Sequence, residues 1–238
     1  MKSSMYALAA VVAASTVPSV AMADLAFNVG AFTDYRYRGI SQTRVKPAVQ
    51  AGVDFLAGGI YLGAWASNIK WIKDFGGDAG IEVDLYGGYK GELARDLSYD
   101  VGVLTYQYPS NKLKPDANTT EVYAAVTYGP ATLKYSNALT DTFGNAKSKG
   151  SYYLDLSATF DLGVVMLIPH IGYQGIKGPF AEPGSYTDYA LTVSKDFSGL
   201  VVSAALIGTN ADKSFYSSPV KGKELGKAGL VLGVKYNF

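Results

Sequence analysis

The sequence predicts an all-β protein, a transmembrane antiparallel up-and-down β-barrel of about twelve strands. Three observations carry that expectation. Runs of about ten residues alternate apolar and polar side chains with period two, enough to cross a bilayer when tilted and longer than the roughly five or six usual in soluble sheets. The connections between runs are alternately short and long, as in outer-membrane barrels. The chain opens on a secretory-type segment and closes on an aromatic strand whose last residue is Phe238.

The opening segment has a charged start at Lys2, an apolar run from Tyr6 to Ala14, and the small-x-small site Ala21-Met22-Ala23. This divides the chain into a leader, 1–23, cleaved after Ala23, and a barrel, 24–238. The run is too short for a membrane helix, and Pro18 interrupts it. No other segment approaches about twenty uninterrupted apolar residues, so any membrane crossing falls to strands. Removing Lys2 with the leader leaves no formal net charge, and no nucleic-acid footprint is visible. The chain lacks cysteine and has one histidine, His170, which excludes disulfides and thiolate metal sites and weakens any zinc centre. No cofactor, metal or catalytic residue is expected.

The first expected strand, 26–38, puts Asp34, Arg36 and Arg38 on one parity, and the second, 46–56, does the same for Gln50 and Asp54. After Ala57-Gly58-Gly59 comes the third, 60–69. The fourth, 80–91, is the clearest: in Ile81-Glu82-Val83-Asp84-Leu85-Tyr86 the carboxylates oppose the apolar residues, and Lys90 follows on the carboxylate parity. A helix would mix those faces. The fifth, 97–108, carries Asp100, but Leu104, Tyr106 and Tyr108 share its parity, so they are expected to fill the interior. The sixth and seventh, 119–128 and 132–140, carry Glu121 and Lys134 around Gly129-Pro130. The eighth, 151–160, sets Asp155, Ser157 and Thr159 against Leu154, Leu156, Ala158 and Phe160. Pro169 interrupts the ninth, 164–175, where a bulge or break is expected because a closed barrel has no free edge. The tenth, 186–196, carries Asp188, and the eleventh spans 200–210. In the twelfth, 227–238, Ala228, Leu230, Leu232, Val234, Tyr236 and Phe238 alternate with a parity that includes Lys235. Such an ending resembles the C-terminal signal of bacterial outer-membrane proteins, so Tyr236 and Phe238 are expected to engage the barrel-assembly machinery. The long connections, near 39–45, 70–79, 109–118, 141–150, 176–185 and 211–226, are expected outside. The short turns and both chain ends are then periplasmic.

With the apolar parity toward lipid, the interior receives Asp34, Arg36, Arg38, Gln50, Asp54, Glu82, Asp84, Lys90, Asp100, Glu121, Lys134, Asp155, Asp188 and Lys235. These are candidate pore-lining groups. Interleaved charges of both signs fit an aqueous path that selects solutes. They equally fit a salt-bridged network that fills a small barrel. Arg36 and Arg38, with Arg44 and Lys46 nearby, form either a basic mouth or structural partners for Glu82, Asp84 or Asp54. The aromatics Tyr35, Tyr37, Tyr106, Tyr108, Tyr152, Tyr153, Trp65, Trp71, Tyr236 and Phe238 are expected in interfacial girdles, with a sugar-stacking track as the alternative. Ser–His hydrolysis on a barrel would need His170 as base, and its same-parity neighbours Ile168 and Gly172 offer no orienting group.

Thr33-Asp34-Tyr35-Arg36-Tyr37-Arg38-Gly39-Ile40-Ser41-Gln42-Thr43, followed by Lys46-Pro47-Ala48-Val49-Gln50, resembles the start of the TorF family of porin-like proteins. Tyr61 to Asn68, Glu82 to Gly91, Tyr152 to Asp155, His170 to Gln174 and Tyr186 to Tyr189 extend the resemblance along the whole mature chain. It implies an integral protein of the bacterial outer membrane, in contact with outer-membrane lipid. The expected role is passive diffusion of small hydrophilic solutes, without covalent chemistry. The alternatives are a non-conducting structural or adhesive barrel with a salt-bridged lumen and, further off, a lipid-modifying enzyme.

Overall fold

The computed structural model describes residues 24–220 and 222–238 and, of the expected leader, only 7–8 and 11–12. The rest of the leader and its cleavage after Ala23 therefore lie outside the described residues. Twelve antiparallel strands form one closed sheet in which each pairs with its neighbours in sequence. They are β1 (Asp24–Phe32), β2 (Ala48–Ala57), β3 (Ile60–Asn68), β4 (Ile81–Ala94), β5 (Leu97–Gln107) and β6 (Thr119–Tyr128). The second half comprises β7 (Ala131–Ala138), β8 (Tyr152–Ala158, continued by Phe160–Asp161), β9 (Met166–Gly175), β10 (Tyr186–Phe197), β11 (Leu200–Thr209) and β12 (Gly229–Asn237). The last strand closes onto the first from Gly233 opposite Phe32 to Asn237 opposite Asn28. Phe238 extends the seam by exchanging backbone hydrogen bonds with Phe27 at 2.8 and 3.0 Å. Closure matters because it leaves no strand edge to template aggregation.

Alternation decides which face points where. On β12, Leu230, Leu232, Val234 and Tyr236 are exposed on the outer surface, whereas Val231, Gly233 and Lys235 are buried inside. Leu25, Phe27 and Val29 on β1, Leu154 and Leu156 on β8, and Leu191 and Val193 on β10 continue the apolar outer band. Phe27, Tyr89, Tyr128, Phe160, Phe197, Tyr236 and Phe238 ring that band near the short turns, where amphipathic and aromatic rings favour a membrane–water boundary. At that end Gly58-Gly59 joins β2 to β3 with φ of 55° and 88°, a two-residue turn whose left-handed conformation glycine takes without steric cost.

Pro169 lies where the β8–β9 ladder is interrupted. Pairing stops at Ser157 with His170, resumes at Phe160 with Leu167, and Thr159 N–H donates instead to Pro130 O at 2.9 Å. The proline thus removes a donor where none is used, while β9 keeps its register with β10 through Pro169 opposite Leu191.

The six long loops gather at the opposite end, with α1 (Trp71–Asp74) in the second and α2 (Ala181–Gly184) in the fifth. Two expectations fail here. The first strand ends at Phe32, so Asp34, Arg36 and Arg38 belong to the first loop and not to a barrel strand. Thr33 N–H makes the final bond to Leu232 O at 2.9 Å, after which Asp34 gathers local donors and turns the chain inward. The aromatic girdle is also smaller than expected. Tyr35 is buried in an apolar cluster with Ile69, Ile72, Ala79 and Ala117, joined by Tyr106 and Tyr108, which fill the interior as their parity on the fifth strand leads one to expect, and Tyr37, Trp65 and Trp71 pack against it. Tyr153 is likewise buried inside. Their hydroxyls and ring edges have polar or aromatic partners in the interior, which a lipid-facing position would not supply.

Candidate functional site: a bore crossed by the first loop

The first loop, residues 33–47, folds into the bore as a small hairpin. Arg36 and Tyr37 pair with Ser41 and Ile40, and the turn Arg38-Gly39 takes φ of 47° and 78°. Asp34 organises its base: its carboxylate accepts from Ser41 Oγ at 2.6 Å, Thr43 Oγ1 at 2.8 Å and Arg36 Nε at 2.5 Å. Arg36 Nη1 then donates to the carbonyls of Gly39, Leu225 and Lys227 at 3.0, 2.9 and 3.0 Å, stitching loop 1 to loop 6.

The hairpin reaches strands right round the barrel. Tyr35 donates to Glu82 on β4 at 2.8 Å, and Tyr37 to Tyr106 on β5 at 2.6 Å. Arg38 donates to Glu121 on β6 at 2.6 Å and to Gln174 on β9 at 2.5 Å, with its guanidinium 4.2 Å from the centre of the Tyr153 ring. At the tip a Cβ on Gly39 would lie 2.8 Å from Asp188 Cβ, so only glycine lets the backbone come this close to β10. The loop therefore spans the cross-section of the barrel.

A lid of other loops backs it. Lys70 N–H donates to Gln42 O at 2.8 Å. Buried Asp74 in α1 pairs with Arg44 of loop 1, whose Nε donates at 2.7 Å, and accepts from Ser218 Oγ of loop 6 at 2.7 Å. At the exposed rim Lys112 bonds Asp78 at 2.9 Å, joining loops 2 and 3 and holding the Asp78 carboxyl below the usual carboxylate range.

Around the hairpin the interior groups are buried; toward the short turns they become half-buried. Asp54 accepts from Tyr86 at 2.5 Å, and Asp100 from Tyr61 at 2.5 Å. Lys90 stands opposite Asp100 in register. Lys134 stands opposite Asp155, with its Nζ 3.8 Å from the centre of the Tyr123 ring. Gln50 and Lys235 are buried on the inner faces of β2 and β12. Asp155 approaches His170 Nε2 at 2.6 Å, and Asp188 accepts from Tyr153 at 2.9 Å and lies 3.6 Å from His170 Nδ1.

These placements correct two readings of the charges. Arg36 and Arg38 are structural partners, but of Asp34 and Glu121, not of Glu82, Asp84 or Asp54. His170 does have carboxylate neighbours, which come from adjacent strands and are invisible to parity along β9. Both of its ring nitrogens face carboxylates, so neither is presented to a serine as a free base. Sequence reasoning missed Gln174, although it shares the inward parity of His170 and Gly172. It also missed the loop-to-loop contacts of Asp74 and Ser218, for which no local signal exists.

A closed twelve-stranded barrel with an apolar exterior and a charged bore is the architecture of outer-membrane β-barrels. The chain belongs to the family described as bacterial protein of unknown function (Gcw_chp), whose model matches residues 17–238. No curated protein matches it in sequence. Among solved structures it is similar in fold to the KdgM porin in complex with disordered oligogalacturonate, at 10% identity and TM-score 0.57, covering 91% of this chain and 99% of that one. An outer-membrane channel from Pseudomonas putida F1 matches at 13% identity and TM-score 0.49, covering 93% and 96%. OprD from Pseudomonas aeruginosa matches at 15% identity and TM-score 0.42, covering 90% of this chain and 65% of that one.

Proposed function

We propose that this chain is a porin-like channel of the bacterial outer membrane, through which small hydrophilic solutes diffuse passively past the loop 1 hairpin. The observation that carries the reading is the combination of a charged bore with a folded-in loop 1 that crosses it. The resemblance to the TorF porin-like family supports the same role, as does the fold likeness to KdgM. In this reading Gln50, Asp54, Glu82, Asp84, Lys90, Asp100, Glu121, Lys134, Asp155, Asp188 and Lys235 line the path, and Asp34, Arg36 and Arg38 shape its narrowest part. The leader directs export, and Tyr236 and Phe238 present the last strand to the assembly machinery. Outer-membrane lipid covers the apolar band, and no enzymatic step or cofactor is involved. KdgM's oligogalacturonate is a polyanion; the many carboxylates of this bore argue against carrying that ligand over.

The second reading, a non-conducting barrel, is favoured by one observation: Arg38 and Glu121 are buried as a pair across the bore. Single-channel current from purified, folded protein in planar bilayers separates the two. A small, discrete conductance that rises when residues 36–41 are replaced by a short glycine-serine linker supports the channel. Silence from both proteins supports the plugged barrel.

A further inference from the structure

Glu82 and Asp84 sit one strand repeat apart on the inner face of β4, 1% and 9% exposed. Every other buried carboxylate contacting the hairpin or the His170 cluster has a cationic or imidazole partner: Asp34 has Arg36, Glu121 has Arg38, and Asp155 and Asp188 have His170. Glu82 has hydrogen-bonding neighbours but no cationic one, accepting from Tyr35 at 2.8 Å while Tyr108 also approaches it. Among the described residues no ion pair includes Glu82 or Asp84. Glu82 Oε2 and Asp84 Oδ1 are buried without a hydrogen-bond partner. Two ionised carboxylates removed from water with unsatisfied oxygens are costly unless a cation or a proton compensates them.

Resting on the channel reading above, we infer that Glu82 and Asp84 form a transit site for monovalent cations beside the loop 1 hairpin and make the channel cation-preferring. No group of three or more ligating side chains is placed to hold a metal ion among the described residues, so the site suits a cation that keeps part of its own hydration shell. A multidentate divalent centre does not fit. The hairpin's two guanidinium groups, committed to Asp34 and Glu121, leave this side of the bore negative. The position is consequential, since Glu82 bonds Tyr35 of the hairpin and Asp84 lies opposite Tyr106 in register.

The test compares wild type with Glu82→Gln/Asp84→Asn, a change that removes buried charge at nearly constant volume and leaves the barrel foldable, as β-sheet circular dichroism and thermal midpoint will register. In planar bilayers under a KCl gradient, the reversal potential should give wild type a K⁺ over Cl⁻ permeability ratio of about threefold or more, falling to about one in the double variant. Current without cation preference, or a preference the double variant keeps, overturns the inference and leaves the channel reading standing. If neither protein conducts, quenching of tryptophan fluorescence by Tl⁺ decides, because Trp65 lies opposite Asp84 in register. Saturable quenching lost in the double variant supports the cation site while the channel reading fails. Quenching that is linear and identical in both proteins overturns the site.

Discussion

Arg38 joins β6 to β9 through two short hydrogen bonds, and its side chain is buried. Replacing one member of such a buried pair strands the other, which typically costs about 3–5 kcal/mol. Arg38→Ala is therefore expected to lower unfolding stability by that amount, measured by urea titration of the barrel in lipid vesicles. Glu121→Ala alone should cost a similar amount. The double variant should be more stable than the two single losses combined predict, with a coupling of about 0.5–3 kcal/mol. Strict additivity would mean that the pair is not made in the membrane. The roles of these residues were only half legible in sequence. That Arg38 faces inward follows from its neighbours, but its partner lies eighty-three residues along the chain and no local pattern names it.

At the scale of elements, most of the barrel was written in the sequence. Period-two patterning depends only on one face meeting lipid and the other a polar interior, so strands such as β4, β6 and β12 announce themselves residue by residue. Loop 1 did not, because Asp34, Arg36 and Arg38 keep strand-like parity while Asp34 caps a turn; the information that ends β1 is a set of side-chain bonds to Ser41 and Thr43. Aromatics misled for a related reason: a tyrosine serves equally at a lipid boundary or inside a bore, and only the hydroxyl's partner distinguishes them. Two predictions belong here. Gly39→Val adds β-branched bulk at φ 78° against Asp188, so the hairpin tip must leave its seat. Single-channel conductance should increase and become noisier, whereas a hairpin that does not narrow the path would leave it unchanged. Pro169→Ala, in contrast, acts where the β8–β9 ladder is already interrupted, and should lower stability by less than about 1 kcal/mol, mainly through greater freedom of the unfolded chain. A larger loss would place the proline in a structural role the ladder does not reveal.

For the whole molecule, the physical logic is inverted relative to a soluble protein: apolar side chains form the outer surface, and charged ones meet inside. This inversion makes stability depend on the solvent outside, and the dependence can be measured position by position. Leu156 lies midway along β8, points outward, and is flanked in register by Leu133 and Ile171, which are exposed on the same face. In a bilayer an arginine there must carry its charge to mid-depth, at a cost of about 2–4 kcal/mol that shrinks to about 0–1 kcal/mol near the interfaces. Leu156→Arg should therefore destabilise the lipid-embedded barrel strongly. The same substitution at Leu200, beside the short Ser198-Gly199 turn, should be nearly neutral. The contrast, read from folding equilibria of both variants in vesicles, reports depth in the membrane independently of any transport activity. Equal costs at the two positions would mean that the outer band does not face hydrocarbon, and a barrel packed against protein would then have to replace one packed against lipid.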